Sequence, residues 1–318
     1  MQDETTLAPR LLLRPLTGDD RKVYVSMLHR SFNTWYGAHG WPSDYFGCTA
    51  EQTGIFLDIY NDISPGSSIA AFDAYSGKLM GACFFHPREH HVSLGIMSVH
   101  PDYFRQGVGR ALVDHIVGFT EANRYAALRL VSSAMNMDSF SLYNRSGFVP
   151  RVSYHDMVLP VPLAGLQVGY PLRDQVRAAK LSDIEAMAAL EMEVSSISRV
   201  GDYRYAIENP RAVLQALVFE NGGGAVDGFM ISIKHPALNM LGPCVASNEQ
   251  AALALLLQAT ERFRGAVPLF VVPMDKREMV ETLYQWGARN VETHLFQVRG
   301  AFQAFNGVSL PSFLPETG

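Results

Sequence analysis

The stretch Val99-His100-Pro101-Asp102-Tyr103-Phe104-Arg105-Gln106-Gly107-Val108-Gly109-Arg110-Ala111-Leu112 decides how this chain is read. The run His91–Val99 before it fits a strand, and Gly107–Ala122 after it has the apolar spacing of an amphipathic helix. A strand ends, a glycine loop turns, and a helix starts. The first turn of a helix leaves N–H groups without partners and carries the positive end of the helix dipole. Such a junction attracts anions. Glycine lets a phosphate approach the backbone and permits unusual dihedrals. Arg105 and Arg110 flank the loop and are placed to add charge-assisted bonds. The pair Gly107 and Gly109 lacks the third glycine of a dinucleotide fingerprint. No Gly-Lys-Ser/Thr follows, so it is not a nucleotide P-loop either. On its own the loop is more often a plain turn entering a helix than an anion site.

Working outward, Leu11–Leu16 reads as a strand and Arg21–Phe32 as a helix that Asp19 or Asp20 caps. Asn33–Gly47 is dense in aromatics and turn formers and reads as a loop or a pair of short helices. Ser68–Ala74 and Lys78–His86 form a hairpin around Tyr75-Ser76-Gly77. Ala127–Ser132 is a strand, Met137–Arg145 a helix and Phe148–Leu159 a strand. The fold class expected is mixed α/β: two tandem domains, each a mostly antiparallel sheet flanked by helices. The Pro- and Gly-rich Leu159–Gly169 marks a linker. The domains are placed at 1–160 and 172–318, with 161–171 between them.

The second half repeats the first. Leu13-Arg14 and Asp20 match Val176-Arg177 and Asp183 at an offset of 163. The strand with Gly81, followed by His86-Pro87, resembles the strand with Gly228, followed by His235-Pro236. Leu142-Tyr143 and Gly147 match Leu283-Tyr284 and Gly287 at offsets of 141 and 140. The glycine loop has no counterpart: Val245–Gln250 contains no glycine. Asn248 or Ser247 is expected to cap a helix there, with Glu249 repelling phosphate from its first turn.

Bulk properties narrow the function. A chain of 318 residues accommodates two domains, and 48% hydrophobic with 18% charged residues suits a globular core. A net charge of −5 argues against nucleic acid or an anionic membrane as partner. Cys48, Cys83 and Cys244 have neither disulfide-like nor metal-ligand spacing, which predicts reduced thiols, a cytoplasmic location and no metal. The first ten residues lack a signal core, and no apolar stretch reaches the ~18–20 residues of a membrane span.

About 30 residues past the loop come Asn136, Leu142-Tyr143 and Gly147-Phe148. Together with Phe104–Gly109, these residues resemble the GNAT superfamily of N-acetyltransferases, in a tandem form whose second copy is degenerate. Where the family's first signature opens on Arg or Gln this chain has Phe104, with Arg105 beside it. The resemblance implies acetyl-CoA, or another short acyl-CoA, as co-substrate and an amine as acceptor. It implies that Arg105 and the backbone of Gln106, Gly107, Val108, Gly109, Arg110 and Ala111 hold the pyrophosphate. Edge backbone of Met97 and Val99 would pair with the pantetheine arm, and Asn136 would hold the cofactor near its thioester. Tyr143 would protonate the leaving thiolate. For the base, Glu89 and His91 precede a strand entering the site and are the residues favoured. The acceptor is expected to enter along Asn33–Phe46, with the second half shaping its groove. The chief alternative is an acyl-CoA-binding sensor or scaffold without catalysis. Acceptor identity and oligomeric state stay open.

Overall fold

The structure, a computed structural model, describes residues 11–170, 172–314 and 316–317. Residues 1–10, Pro171, Pro315 and Gly318 lie outside the described residues. The signal-core reading of the first ten residues and the last linker position therefore fall outside it. No helix among the described residues is long and apolar enough to cross a membrane.

The first half runs β1 (Leu11–Arg14), α1 (Arg21–Ala38), α2 (Gly54–Ile63), β2 (Ser68–Asp73), β3 (Leu79–Pro87), β4 (His91–Val99), α3 (Val108–Ala122), β5 (Ala127–Ser133), α4 (Met137–Arg145) and β6 (Val149–Val158). The second half follows the same order: β7 (Val176–Ala178), α5 (Ile184–Ser195), α6 (Val200–Glu208), β8 (Leu214–Glu220), β9 (Val226–His235), β10 (Leu238–Ala246), α7 (Glu249–Thr260), β11 (Leu269–Pro273), α8 (Arg277–Gln285) and β12 (Arg289–Gly300). It then adds β13 (Val308–Leu310). In the first half two elements differ from expectation. α1 continues through Asn33–Ala38 because Tyr36 is buried and stacks on Tyr45 with ring centroids 3.7 Å apart. α2 is an additional helix, held by burial of Ile55, Phe56, Ile59 and Tyr60.

The sequence repeat has a physical basis. Arg14 pairs with Asp20 at 2.7 Å, and Arg177 pairs with Asp183 at 2.7 Å. Each aspartate also accepts a backbone N–H three residues before it, from Thr17 and from Lys180. The matched glycines serve close packing: a Cβ on Gly81 would come within 2.9 Å of Val108, and one on Gly228 within 2.9 Å of Leu255. In each half a helix rests directly on glycine backbone.

Among the described residues the strands join one sheet, in the order β1-β2-β3-β4-β5-β12-β6-β11-β10-β9-β8-β7, with β13 on β10. The two halves do not keep separate sheets, because they exchange their last strands. β6 pairs with β11 of the second half, β12 pairs with β5 of the first, and β6 and β12 pair with each other. The exchange leaves neither half with an open central edge. One core runs across both halves on a single face of the sheet, joining Tyr24, Leu28, Tyr60 and Phe84 to Met187, Tyr203, Phe229 and Phe296. On the other face α3 and α7 cover their own halves. The structure also holds a buried ion pair, Arg88 Nη2 to Asp202 at 2.7 Å, tying the turn after β3 to α6.

Candidate active site

β4 and β5 run parallel and pair only at His91↔Ala127, Val92↔Leu128 and Ser93↔Arg129. Beyond Ser93 they part. A bulge on β4 sets Gly95 and Ile96 opposite Phe84, since Cys83 faces Met97 and Phe85 faces Leu94. His100 N–H donates to Met80 O, which fixes the alternation of the β3–β4 ladder. By that alternation the backbone groups of Met97 and Val99 point away from β3, into the gap. The Val99 carbonyl accepts from the Ser31 hydroxyl at 2.8 Å. At the end of the gap Gly107 takes φ +80° and caps α3. Ala111 N–H donates to Gly107 O at 3.0 Å, so the amides without a helical partner end at Arg110. The expectation that Ala111 contributes its N–H is corrected by this bond.

A cleft of about 1300 Å³ runs from this helix start along the gap. Met97, Val99, Arg105, Gly107, Val108, Gly109, Arg110, Asn136 and Tyr143 all line it. Gln106 and Ala111 do not, and the Gln106 side chain bonds the Asp102 carbonyl at 2.9 Å. Phe104, 41% exposed, and Arg105, at φ +62°, turn the chain into the cradle. Arg110 leans toward Asp114 at 3.5 Å. Asn136 caps α4, its carbonyl oxygen accepting from Ser139 N–H at 3.0 Å. Tyr143 is 5% exposed, and burial raises its phenol above the ordinary range, so it is a protonated donor.

The two residues favoured as base lie elsewhere. Glu89 accepts the Val200 N–H at 3.2 Å, at the start of α6. His91 is 1% exposed, and burial with Arg129 nearby holds its imidazole well below the usual range, in the neutral form. Neither lines the cleft.

The far end of the cleft is aromatic, as the sequence of Asn33–Phe46 suggested: Phe32, Trp35, Tyr36, Tyr45 and Phe46 contribute. The second half adds Pro236–Asn239, Leu269, His294, Phe313 and Glu316. Behind Tyr36, the residues Asp156, Glu292 and His294 bring ligand-type atoms within 4.8 Å of one another. His294 Nδ1 lies 3.2 Å from Asp156 Oδ2, and burial raises the Glu292 carboxyl. Sequence reading missed this cluster because its members meet only through the strand exchange.

The equivalent place in the second half is closed. β13 pairs antiparallel with Cys244–Ala246 of β10, along the segment that corresponds to Met97–Val99. Asn248 caps α7 by accepting from Ala251 N–H at 2.9 Å. The Glu249 carboxylate accepts from Met279 N–H at 2.7 Å, covering the start of α8. The helix ends also correct the alignment by one residue. Phe148 N–H donates to Tyr143 O, and Ala288 N–H donates to Leu283 O. Leu283, not Tyr284, therefore stands where Tyr143 stands, and it is fully buried.

Comparison with known proteins bears on this geometry. The Acetyltransferase (GNAT) family profile matches residues 33–148, and an acetyltransferase (GNAT) domain profile matches 204–304. The chain belongs to the GNAT acetyltransferase family. It carries one such domain in each half. Over 52 residues the acetyltransferase is 42% identical to the [ribosomal protein bS18]-alanine N-acetyltransferase of Escherichia coli, a match covering 16% of this chain and 35% of that one. It spans about a third or less of the length of the curated relatives it matches. Its fold is similar to a putative acetyltransferase from Pyrococcus horikoshii, with a TM-score of 0.74, 16% identity and 99% of both chains covered. A tandem GNAT protein from the clavulanic acid biosynthesis pathway is similar at a TM-score of 0.58 and 16% identity, covering 92% of this chain and 98% of that one.

Proposed function

We propose that the acetyltransferase moves an acetyl or other short acyl group from acyl-CoA to an amine, by direct attack, in the cleft of its first half. The observation that carries this reading is continuity. One cleft joins the partner-free amides of α3, the parted β4–β5 edge, Tyr143 and an aromatic end walled by both halves. Val108, Gly109 and Arg110 N–H would hold the pyrophosphate, with Gly107 setting the turn and Arg105 adding charge. Met97 backbone would extend the sheet onto the pantetheine arm. Asn136 keeps its carbonyl on the helix cap, which leaves its amide to face the cofactor. Tyr143 would give its proton to the leaving sulfur as the carbon–sulfur bond breaks. The second half, with β13 along its gap and Leu283 in place of the tyrosine, would bind no acyl-CoA.

Calorimetry with acetyl-CoA tests the assignment. The wild type is expected to bind, and Gly107→Glu, which puts a carboxylate into the phosphate cradle, is expected to abolish binding. Unchanged binding by that variant would remove the cradle from this loop. Thiol release against a panel of amines then tests turnover.

A further inference from the structure

We infer that Glu316, carried on the segment that follows β13 in the second half, is the general base of the cleft in the first half. The inference rests on the acyl-transfer reading above. Glu316 lines the cleft beside Gly95 and Ile96, at the β4 bulge where the gap opens. The residue is 9% exposed, and among the described residues its buried Oε2 has no hydrogen-bond partner, with the Tyr60 hydroxyl and the Ile96 N–H close to the carboxyl. An unpartnered carboxyl oxygen on the wall of a substrate cleft is free to take a proton.

The segment that brings it there is anchored. Arg88 Nη2 donates to the Glu316 carbonyl at 3.2 Å while the same guanidinium holds Asp202. The Tyr60 hydroxyl donates to Phe313 O at 3.3 Å, and Ser312 N–H donates to Thr317 Oγ1 at 2.8 Å. Phe313 and Glu316 form an antiparallel bridge.

The groups around the carboxyl leave it without a committed cation. It faces Tyr24 from α1, Tyr60 from α2, Cys83 and His86 from β3, Arg88 just past β3, and the Ile96 N–H from β4. His86 Nε2 is 3.7 Å away, but burial and Arg88 hold that imidazole well below its usual range, so it is neutral. Arg88 is spent on Asp202. Burial pushes the Glu316 carboxyl up to about 8, within the range where a base works near neutral pH. In the step assigned here, the acceptor nitrogen bonds to the thioester carbonyl carbon and the carbon–sulfur bond breaks. The nitrogen's proton passes to the Glu316 carboxylate, directly or through one water, and the sulfur takes the Tyr143 proton.

The test compares wild type, Glu316→Gln and Glu316→Asp by thiol release from acetyl-CoA against polyamine, amino-sugar, arylamine and peptide amines, across pH 6–10. For the wild type, kcat/KM is expected to rise with pH and level off near 8. Glu316→Gln is expected to lose about 10²–10³-fold in kcat and to lose the acid limb, with acetyl-CoA affinity by calorimetry unchanged. Glu316→Asp, which restores a carboxylate, is expected to recover the limb and part of the rate. The inference is overturned if Gln stays within about threefold of wild type, if it keeps the limb, if its activity falls only with acetyl-CoA affinity, or if Asp behaves as Gln does. A wild type that turns over no amine would remove the acyl-transfer reading itself, and the role of Glu316 with it.

Discussion

Replacing Glu316 by glutamine is expected to stabilise the protein in alkaline solution and to change little in acid. The carboxyl is buried and its pKa is pushed up to about 8 in the fold, against an ordinary 4.5. Between those values the folded chain keeps a proton that the unfolded chain releases. Stability therefore falls as pH rises from 4.5, and the loss is complete above about 8. At about 1.4 kcal/mol per pH unit the span corresponds to an upper bound of about 5 kcal/mol. Glutamine has nearly the same shape and no charge, so it avoids that cost. At roughly 2–4 °C per kcal/mol the variant should melt on the order of 10 °C above wild type at pH 9. At pH 5 the two should nearly coincide. Scanning calorimetry at both pH values reads this directly, and titrating groups remote from Glu316 contribute equally to the two proteins. An equal difference at both pH values would refute the reasoning, because it would mean that the carboxyl is not held in a charge-disfavouring site.

Three other outcomes are expected. Tyr143→Phe should lower kcat by about 10²–10³-fold while leaving the calorimetric acetyl-CoA affinity unchanged, since only the proton donor is removed. Arg88→Ala should cost about 3–5 kcal/mol in urea unfolding, because Asp202 is then left buried without its partner; a loss under about 1 kcal/mol would mean that the pair does not join the halves. Calorimetric titration should saturate at one acetyl-CoA per chain, and a second equivalent would contradict the closure of the second gap by β13.

The elements that build the glycine-loop end of the cleft were legible because their signals are local. His91–Val99 and Met137–Arg145 have the bounds that alternation and helical spacing gave them. The glycine loop lies where a strand ends and a helix starts. α2 was not read: its apolar run Ile55–Tyr60 fits a buried strand as well as a helix, and only packing decides. The helical Asn33–Ala38 was hidden by turn-forming residues that burial of Tyr36 overrides. The Leu-Tyr repeat pointed to Tyr284, one residue off, because side-chain likeness drew the match while the backbone bonds of the helix end define it. The base inferred here, Glu316, was out of reach of sequence. Glu89 and His91 are near the strand in the chain yet turn away from the cleft, whereas Glu316 arrives from over 200 residues past Tyr60 and His86.

The exchange of β6 and β12 bears on how this chain can be cut and made. A break in the stretch between β6 and β7 would leave each fragment with a strand whose partners lie mostly on the other fragment. Each piece expressed alone would present a bare sheet edge and be prone to aggregate. Made together, the same two pieces carry complementary edges and should reassemble, so this acetyltransferase is a natural candidate for split-protein complementation, in which recovered activity reports that the fragments have met.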